Sequence, residues 1–352
     1  MRIAQIAPLA ETVPPKLYGG TERVVSWLTE ELVSQGHDVT LFAAGGSKTA
    51  AMLVTGSDAG LRLQGVHDHT ATNLVMLDNV RQCADQFDII HCHIDVLQFP
   101  LFQDLGHKLV TTLHGRLDLP DFWPVYRAYR HMPLISISNM QREPMPAGVN
   151  WLATVYHGLP GEICPFNATG GDYLAFLGRI SPEKRPDRAI EIAKRTGVKL
   201  KIAAKVDNAD LGYFKEVIEP MLDDPLIEFI GEIDETQKCA FLGNALALLF
   251  PIDWIEPFGL VMIEAMSAGT PVIAWQNGSV PEVIENGIGG FIVDSLDMAV
   301  EAVGRVKTID RTSVRRYFES RFTAKHMARN YVAAYEDLLM KQGCQLKLVA
   351  AE

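Results

Sequence analysis

The sequence predicts an α/β protein of two successive doubly wound parallel-sheet domains, and three observations carry that prediction. Short β-rich runs alternate with helix-spaced apolar residues from the start of the chain. The alternation stops and restarts once, around residues 161–172. The length of 352 residues also exceeds what a single hydrophobic core usually serves. Strand, helix, strand in this rhythm means βαβ units on a parallel sheet, so each half reads as a Rossmann-like domain.

The first series opens with RIAQIA (2–7) as a strand. Val24, Val25, Leu28, Leu32 and Val33 follow at helix spacing, Gly36 supplies a stop, and DVTLFAA (38–44) is the next strand. FDIIHCHID (87–95), KLVTTLH (108–114), PLISIS (133–138) and WLATVYHG (151–158) repeat the grammar and complete a domain over 1–165. A second series, DYLAFLG (172–178), KLKIAAK (199–205), IEFIG (227–231), ALALLFP (245–251), TPVIAW (270–275) and GGFIV (289–293), makes a domain over 166–322. Pro165 and the glycines of GEICPFNATGGD interrupt both patterns at the joint. Such sheets bind ligands beyond the carboxyl ends of their strands, where strand order reverses. Two such domains facing each other would make one cleft, so residues just after strands carry most weight.

Composition narrows the function classes. With 48% hydrophobic and 21% charged residues and no low-complexity tract, the chain is expected to be globular and ordered nearly throughout. A net charge of -11 with no basic stripe argues against nucleic acid as a partner and against charge-steered binding to an anionic membrane. MRIAQIAPLA is too short and too broken by Pro8 for a signal-peptide core, and no apolar run reaches the roughly 18 residues of a spanning helix. A cytoplasmic protein with no transmembrane segment is expected. Cys83, Cys92, Cys164, Cys239 and Cys344 are scattered without CxxC spacing, so they read as reduced.

Four stretches can carry chemistry. In YGGTER, Gly19 and Gly20 precede a helix, where glycine permits close backbone approach and the helix start offers unpaired N–H groups; an ordinary glycine turn reads equally well. In FLGRISPEK, a strand ends at Gly178 and Arg179, with Lys184 before the next helix. A guanidinium fork and an ammonium there suit a diphosphate, against the plainer reading of a solvated basic turn. In EPFGLVMIEAMSAGT, Pro257 disfavours helix at Glu256, while Gly259 to Ala268 has helical spacing and Gly269 can end it. Glu264 then sits in the second turn of an apolar helix, where a carboxylate must be exposed, paired or facing a polar ligand. Two carboxylates beside one glycine-led helix start suit the hydroxyls of a sugar or ribose. Last come the histidines. His91, His93 and Asp95 alternate as a metal set would, but a strand end with cleft or capping residues is the preferred reading. His114 follows a strand directly and reads as a cleft residue or a satisfied core histidine. No DxD pair, GxSxG elbow or Walker loop occurs, which removes the main hydrolase and NTPase readings.

Together these motifs resemble the retaining glycosyltransferases of family 4, which have the GT-B fold, over nearly the whole chain. EPFGLVMIE is similar to that family's two glutamates separated by seven residues, GRISPEK to its Arg/Lys diphosphate clamp, YGGTER to its glycine loop and TTLHG to its cleft histidine. FTAKHMARNYVAAYEDLL resembles its last helix, which returns to the N-terminal domain; here that helix is expected over about 323–352.

The resemblance implies roles. Arg179 and Lys184 neutralise the departing diphosphate, Glu256 contacts the transferred sugar, Glu264 holds the ribose hydroxyls, and N–H groups of Phe258, Gly259, Leu260 and Val261 assist. His114 lies near the reacting face, Gly19 and Gly20 near phosphates or acceptor, and Lys205 either meets the nucleotide or is solvated. It further implies retention of configuration, no metal and no cofactor. The donor is a nucleotide diphosphate sugar, UDP-sugar favoured over GDP- or ADP-sugar, and the acceptor a small molecule, glycan or lipid-linked hydroxyl. Donor identity, acceptor and oligomeric state stay open. Arg185 departs from the family's usual glycine after the clamp lysine, and KIAAKVDNAD lacks its usual glycine after the strand. The alternatives are a sugar-nucleotide epimerase on the same fold and a non-catalytic sugar-nucleotide-binding protein.

Overall fold

The computed structural model describes residues 1–16 and 19–349, with side chains described through Lys341. Tyr18 of the YGGTER stretch, the Cys344 side chain and the end of the expected C-terminal helix lie outside the described residues. Two compact units form: Met1–Gly158 with the segment from Ala324 onward, and Leu159–Thr323.

In the first unit, strands β1 (Arg2–Ile6), β2 (Asp38–Ala44), β3 (Met52–Ser57), β4 (Ile89–Cys92), β5 (Leu109–Thr112), β6 (Leu134–Ser136) and β7 (Trp151–Thr154) make an all-parallel sheet among the described residues, ordered β3-β2-β1-β4-β5-β6-β7. The order reverses between β1 and β4. Helix α1 (Gly20–Ser34) buries Val24, Val25, Leu28 and Leu32, the face its apolar spacing marks, and Gly36 in the left-handed region follows its end. Helix α2 (Thr70–Gln82) packs against β3, giving Met76, Leu77 and Val80 to the core. Strand β3 is absent from the sequence reading because it is a half-exposed edge, without the continuous apolar run of a central parallel strand.

In the second unit, β8 (Tyr173–Arg179), β9 (Leu200–Lys205), β10 (Ile227–Gly231), β11 (Ala245–Phe250), β12 (Val272–Trp275) and β13 (Gly290–Val293) form a second parallel sheet, ordered β10-β9-β8-β11-β12-β13. Here the order reverses between β8 and β11. Its longer helices are α3 (Pro186–Thr196), α4 (Glu235–Gly243), α5 (Leu260–Ser267), α6 (Leu296–Arg305) and α7 (Arg311–Arg321). Helix α8 (Ala324–Val349) belongs to the first unit, packing on α1 and β7 with Tyr331 and Tyr335 fully buried.

The units divide at Gly158/Leu159, not at the expected 165/166, because the chain after Gly158 is fastened to the second unit. The Leu159 N–H donates to the Phe322 carbonyl at 2.9 Å. Arg315 donates to the carbonyls of Gly161 at 2.6 Å and Cys164 at 3.3 Å. Cys164 is also disulfide-bonded to Cys239 on α4, with Cα atoms 5.1 Å apart. That bond overturns the reduced state expected for these two cysteines. Their 75-residue separation carries no pairing signal, and only the fold makes them neighbours.

Candidate active site

In the second unit the candidate residues gather where strand order reverses. Arg179 ends β8, beside Lys205 at the end of β9 with the two in register. The chain then makes a single turn, Pro182–Lys184, before α3. Glu256 lies in the loop between β11 and α5, as Pro257 implies, and Glu264 lies in the second turn of α5. Gly259 holds φ 77° and ψ 66° immediately before α5. A Cβ there would stand 2.8 Å from the Met262 methyl and 3.0 Å from the Phe250 ring, so this bend admits only glycine. The N–H groups of Leu260 and Val261 open the helix and have no intrahelical acceptor.

Glu256 is 8% exposed. Its Oε2 accepts the Lys184 ammonium and the Trp254 indole N–H, the latter at 3.1 Å. The ammonium also lies 4.9 Å from the Trp254 ring centre and 5.6 Å from that of Phe250, a cation–π setting. The backbone of this loop is locked from β12's far end. Ser279 donates its N–H to the Glu256 carbonyl at 3.0 Å and its hydroxyl to the buried Phe258 carbonyl at 2.7 Å. Gly278 packs so tightly on Glu256 that a Cβ would collide with the Glu256 backbone. Sequence reasoning did not single out Gly278, Ser279 or Trp254, although NGS after a strand is a readable turn signal.

Glu264 is 7% exposed, and the three options open to a carboxylate there resolve to pairing. Lys238 on α4 donates to Glu264 Oε1 at 2.8 Å and also pairs with Glu235. Burial pushes the Lys238 ammonium down, but Glu264 and Glu235 outweigh it and hold it above its ordinary value. Lys238, in the polar stretch DETQK, gave no signal of its own in the sequence.

Arg179 is more heavily compensated than the clamp expectation implied. It donates to Glu183 at 2.6 Å and lies 3.5 Å from Asp210 and 3.7 Å from Asp207. Lys205 pairs with Asp207 at 2.8 Å. Arg185 adopts φ 53° and ψ 52°, the left-handed region, where glycine costs nothing. Its guanidinium is held by Asp187 at 2.7 Å and Asp253 at 2.8 Å, which raises its pKa, mainly through the Asp187 hydrogen bond.

In the first unit the candidates lie at the β1/β4/β5 edge. Gly19 caps α1 and Gly20 begins it; a Cβ on Gly19 would stand 2.8 Å from Pro15 and 3.1 Å from Glu22 Oε2. Glu22, in the first turn of α1, is buried, and burial raises its carboxyl. His114 follows β5 and is not a lone histidine: its ring stacks on His157 (centroids 5.3 Å apart, 15° between planes), and its Nε2 lies 2.8 Å from His93 Nδ1. His93 Nε2 lies 2.8 Å from Gln5 Oε1. His91 meets the Tyr335 hydroxyl and Thr112 Oγ1, each at 2.7 Å. Burial pushes His91, His93 and His157 well below the ordinary histidine value and His114 down to about 3. The alternation in HCHID does place His91 and His93 side by side, with ring centres 4.0 Å apart. Strand β4 ends at Cys92, however, and Asp95 turns away at φ 56°. Among the described residues no group of three or more His, Cys, Asp or Glu side chains is arranged to hold a metal ion.

The sequence matches the model of the Glycosyl transferases group 1 family over residues 143–319 and that of Glycosyltransferase Family 4 over 18–143. It is 26% identical over 339 residues to a glycogen synthase of Mycobacterium tuberculosis, covering 81% of each chain. Among solved structures it resembles AviGT4, a glycosyltransferase involved in avilamycin A biosynthesis (TM-score 0.76, 23% identity, 97% of this chain and 98% of that one). It also resembles Anabaena Alr3699/HepE, solved in complex with UDP and glucose (TM-score 0.72, 16% identity, 96% and 100%). The two Rossmann-like parallel sheets are those of the GT-B fold. Among the described residues no helix is long and apolar enough to cross a membrane.

Proposed function

Because the chain belongs to the glycosyltransferase group 1 family, we propose that it transfers a hexosyl group, with retention of configuration, from a nucleotide diphosphate sugar to an acceptor hydroxyl. The observation that carries this reading is the β8/β11 reversal, where Arg179 ends β8, Lys184 follows it and pairs with Glu256, and the loop after β11 leads through Gly259 into α5. Ligands of open α/β sheets bind at such a reversal. UDP-sugar is the favoured donor, supported by the UDP complex of the HepE neighbour.

In this mechanism Arg179 and Lys184 neutralise the diphosphate as the bond from the anomeric carbon to its phosphate oxygen breaks. This is electrostatic stabilisation of the leaving group. The N–H groups from Phe258 to Val261 add dipoles on the same side. Glu256 accepts from hydroxyls of the transferred sugar, Glu264 from those of the ribose, and Lys205, Gly19 and Gly20 contribute to donor binding. The acceptor oxygen bonds to the anomeric carbon on the face the diphosphate leaves, and its proton passes to the leaving phosphate oxygen. No metal takes part: the guanidinium and ammonium supply the positive charge. The test is a panel of UDP-, GDP- and ADP-hexoses with and without excess EDTA, followed by NMR of the product anomer. Turnover of at least one donor, unaffected by EDTA and with retention, is expected. No binding or hydrolysis of any donor would end the proposal, and activity abolished by EDTA and restored by Mg²⁺ would end its metal-free part.

A further inference from the structure

The buried side chains behind His114 fix which of its nitrogens carries hydrogen. The starting point is Gln5, in the middle of β1. Its Nε2, a donor only, faces His91 Nδ1 and the Tyr335 hydroxyl, both at 3.4 Å. Its Oε1, an acceptor only, faces His93 Nε2 at 2.8 Å. His93 Nε2 must therefore carry the hydrogen. Burial keeps the His93 ring neutral, which leaves Nδ1 as an acceptor. That acceptor faces His114 Nε2 at 2.8 Å, so the hydrogen of His114 sits on Nε2. The other side of the cluster closes consistently. His91 Nδ1 accepts from the Tyr335 hydroxyl, its Nε2–H donates to Thr112 Oγ1, and Thr112 donates to the Tyr331 hydroxyl at 3.1 Å.

One atom of the chain of bonds is left over. His114 Nδ1 is buried and has no hydrogen-bond partner among the described residues. A buried polar atom without a partner costs free energy, and a site built for a ligand is one setting in which it persists. We propose that Gln5 and His93 are positioning residues that hold His114 as its Nε2-protonated tautomer, so that Nδ1 is an acceptor for a hydroxyl of the sugar substrate. This rests on the transfer reading above and deepens it. Burial, which pushes its pKa down to about 3, makes His114 a poor general base. The imidazole orients a hydroxyl and does not remove its proton.

The experiment is long-range ¹H–¹⁵N correlation of the histidine rings in full-length protein labelled with ¹⁵N-histidine, His114 being assigned by the signals missing in His114→Gln. The wild-type protein is expected to show His114 protonated on Nε2 alone. His93→Phe, which removes the acceptor, is expected to show both tautomers in exchange and a fall in kcat of roughly tenfold, the worth of one neutral hydrogen bond. His93→Gln, whose amide oxygen can still accept, is expected to restore both tautomer and rate. A wild-type His114 protonated on Nδ1 or mixed, or a tautomer that His93→Phe leaves unchanged, overturns the proposal. The spectra need no substrate: a chain that turns over no nucleotide sugar defeats the transfer reading while the spectra still decide the tautomer.

Discussion

The histidine cluster makes the first unit acid-labile at mild pH, and the second unit serves as an internal control. All ten histidines lie in the first unit, since residues 159–323 contain none. Burial holds the folded pKa of His91, His93 and His157 well below 6.5 and pushes that of His114 down to about 3. The folded state keeps these rings neutral while the unfolded chain protonates them. Their contribution to stability is therefore complete above about pH 6.5 and is lost as pH falls below it. Between pH 7.5 and 5.5 each ring costs about 1.4 kcal/mol, and the four together about 5.5 kcal/mol. Against a typical total of roughly 5–15 kcal/mol, that is a large fraction. Native-state hydrogen exchange at the two pH values, corrected for intrinsic rates, reads the units separately. Amides of β1, β4 and β5 are expected to lose about 5.5 kcal/mol of protection, while those of β8, β11 and β12 lose far less. Equal losses in both units, or none in the first, would refute the reasoning, because the only imidazoles that could drive the difference are in the first.

Three further outcomes follow from single contacts. Glu256→Gln is expected to lower kcat for transfer on the order of 100-fold with the unfolding midpoint little changed, measured with the best donor of the panel; a loss under about tenfold would exclude direct contact with the reacting sugar. Lys238→Met leaves Glu264 buried without its cation and is expected to destabilise the second unit by about 3 kcal/mol in urea titrations, with Lys238→Met/Glu264→Gln recovering most of it; a single variant as stable as the parent would show that the pair has no structural weight. Reduction of Cys164–Cys239, which spans 75 residues, is expected to cost about 2–4 kcal/mol; non-reducing peptide mapping must find the linked pair, and dithiothreitol must lower the second unit's midpoint.

What the sequence made legible was what local physics controls. The parallel-sheet rhythm and the face of α1 could be read because a core strand and an amphipathic helix each impose a period on the chain. The loop position of Glu256 followed from Pro257, and the helical position of Glu264 from the spacing of Gly259 to Ala268 before Gly269. Contacts between distant residues were not legible. Glu264 finds its counter-charge 26 positions upstream, and Gln5 meets the Tyr335 hydroxyl across 330 positions. Nothing local at either end selects the other. The edge strand β3 was missed for a different reason: half-exposed, it carries no apolar run. Arg185 lies between these cases. The sequence showed a residue where glycine is usual, and only the backbone shows why, since the position is left-handed and two aspartates hold the side chain.

The two units prepare their candidate residues in opposite ways. In the first, burial keeps the rings of His91, His93, His114 and His157 neutral, and His114 Nδ1 has no hydrogen-bond partner among the described residues. In the second, each cation already has an anion: Glu183, Asp207 and Asp210 around Arg179, Glu256 on Lys184, and Asp207 on Lys205. On the proposed reading, a diphosphate at that site would replace carboxylates and not add to an existing positive potential. For Arg179 the exchange is favourable, because partly exposed ion pairs are worth about 0–1 kcal/mol each while a bidentate guanidinium–phosphate contact is among the stronger charge-assisted bonds. Asp207 and Asp210 come from KVDNAD, where this chain departs from the glycine usual after the strand. Burial raises the Asp210 carboxyl while Arg179 pulls it down. Without the pull of Arg179, burial would act unopposed on the Asp210 carboxyl and hold it further above its ordinary value.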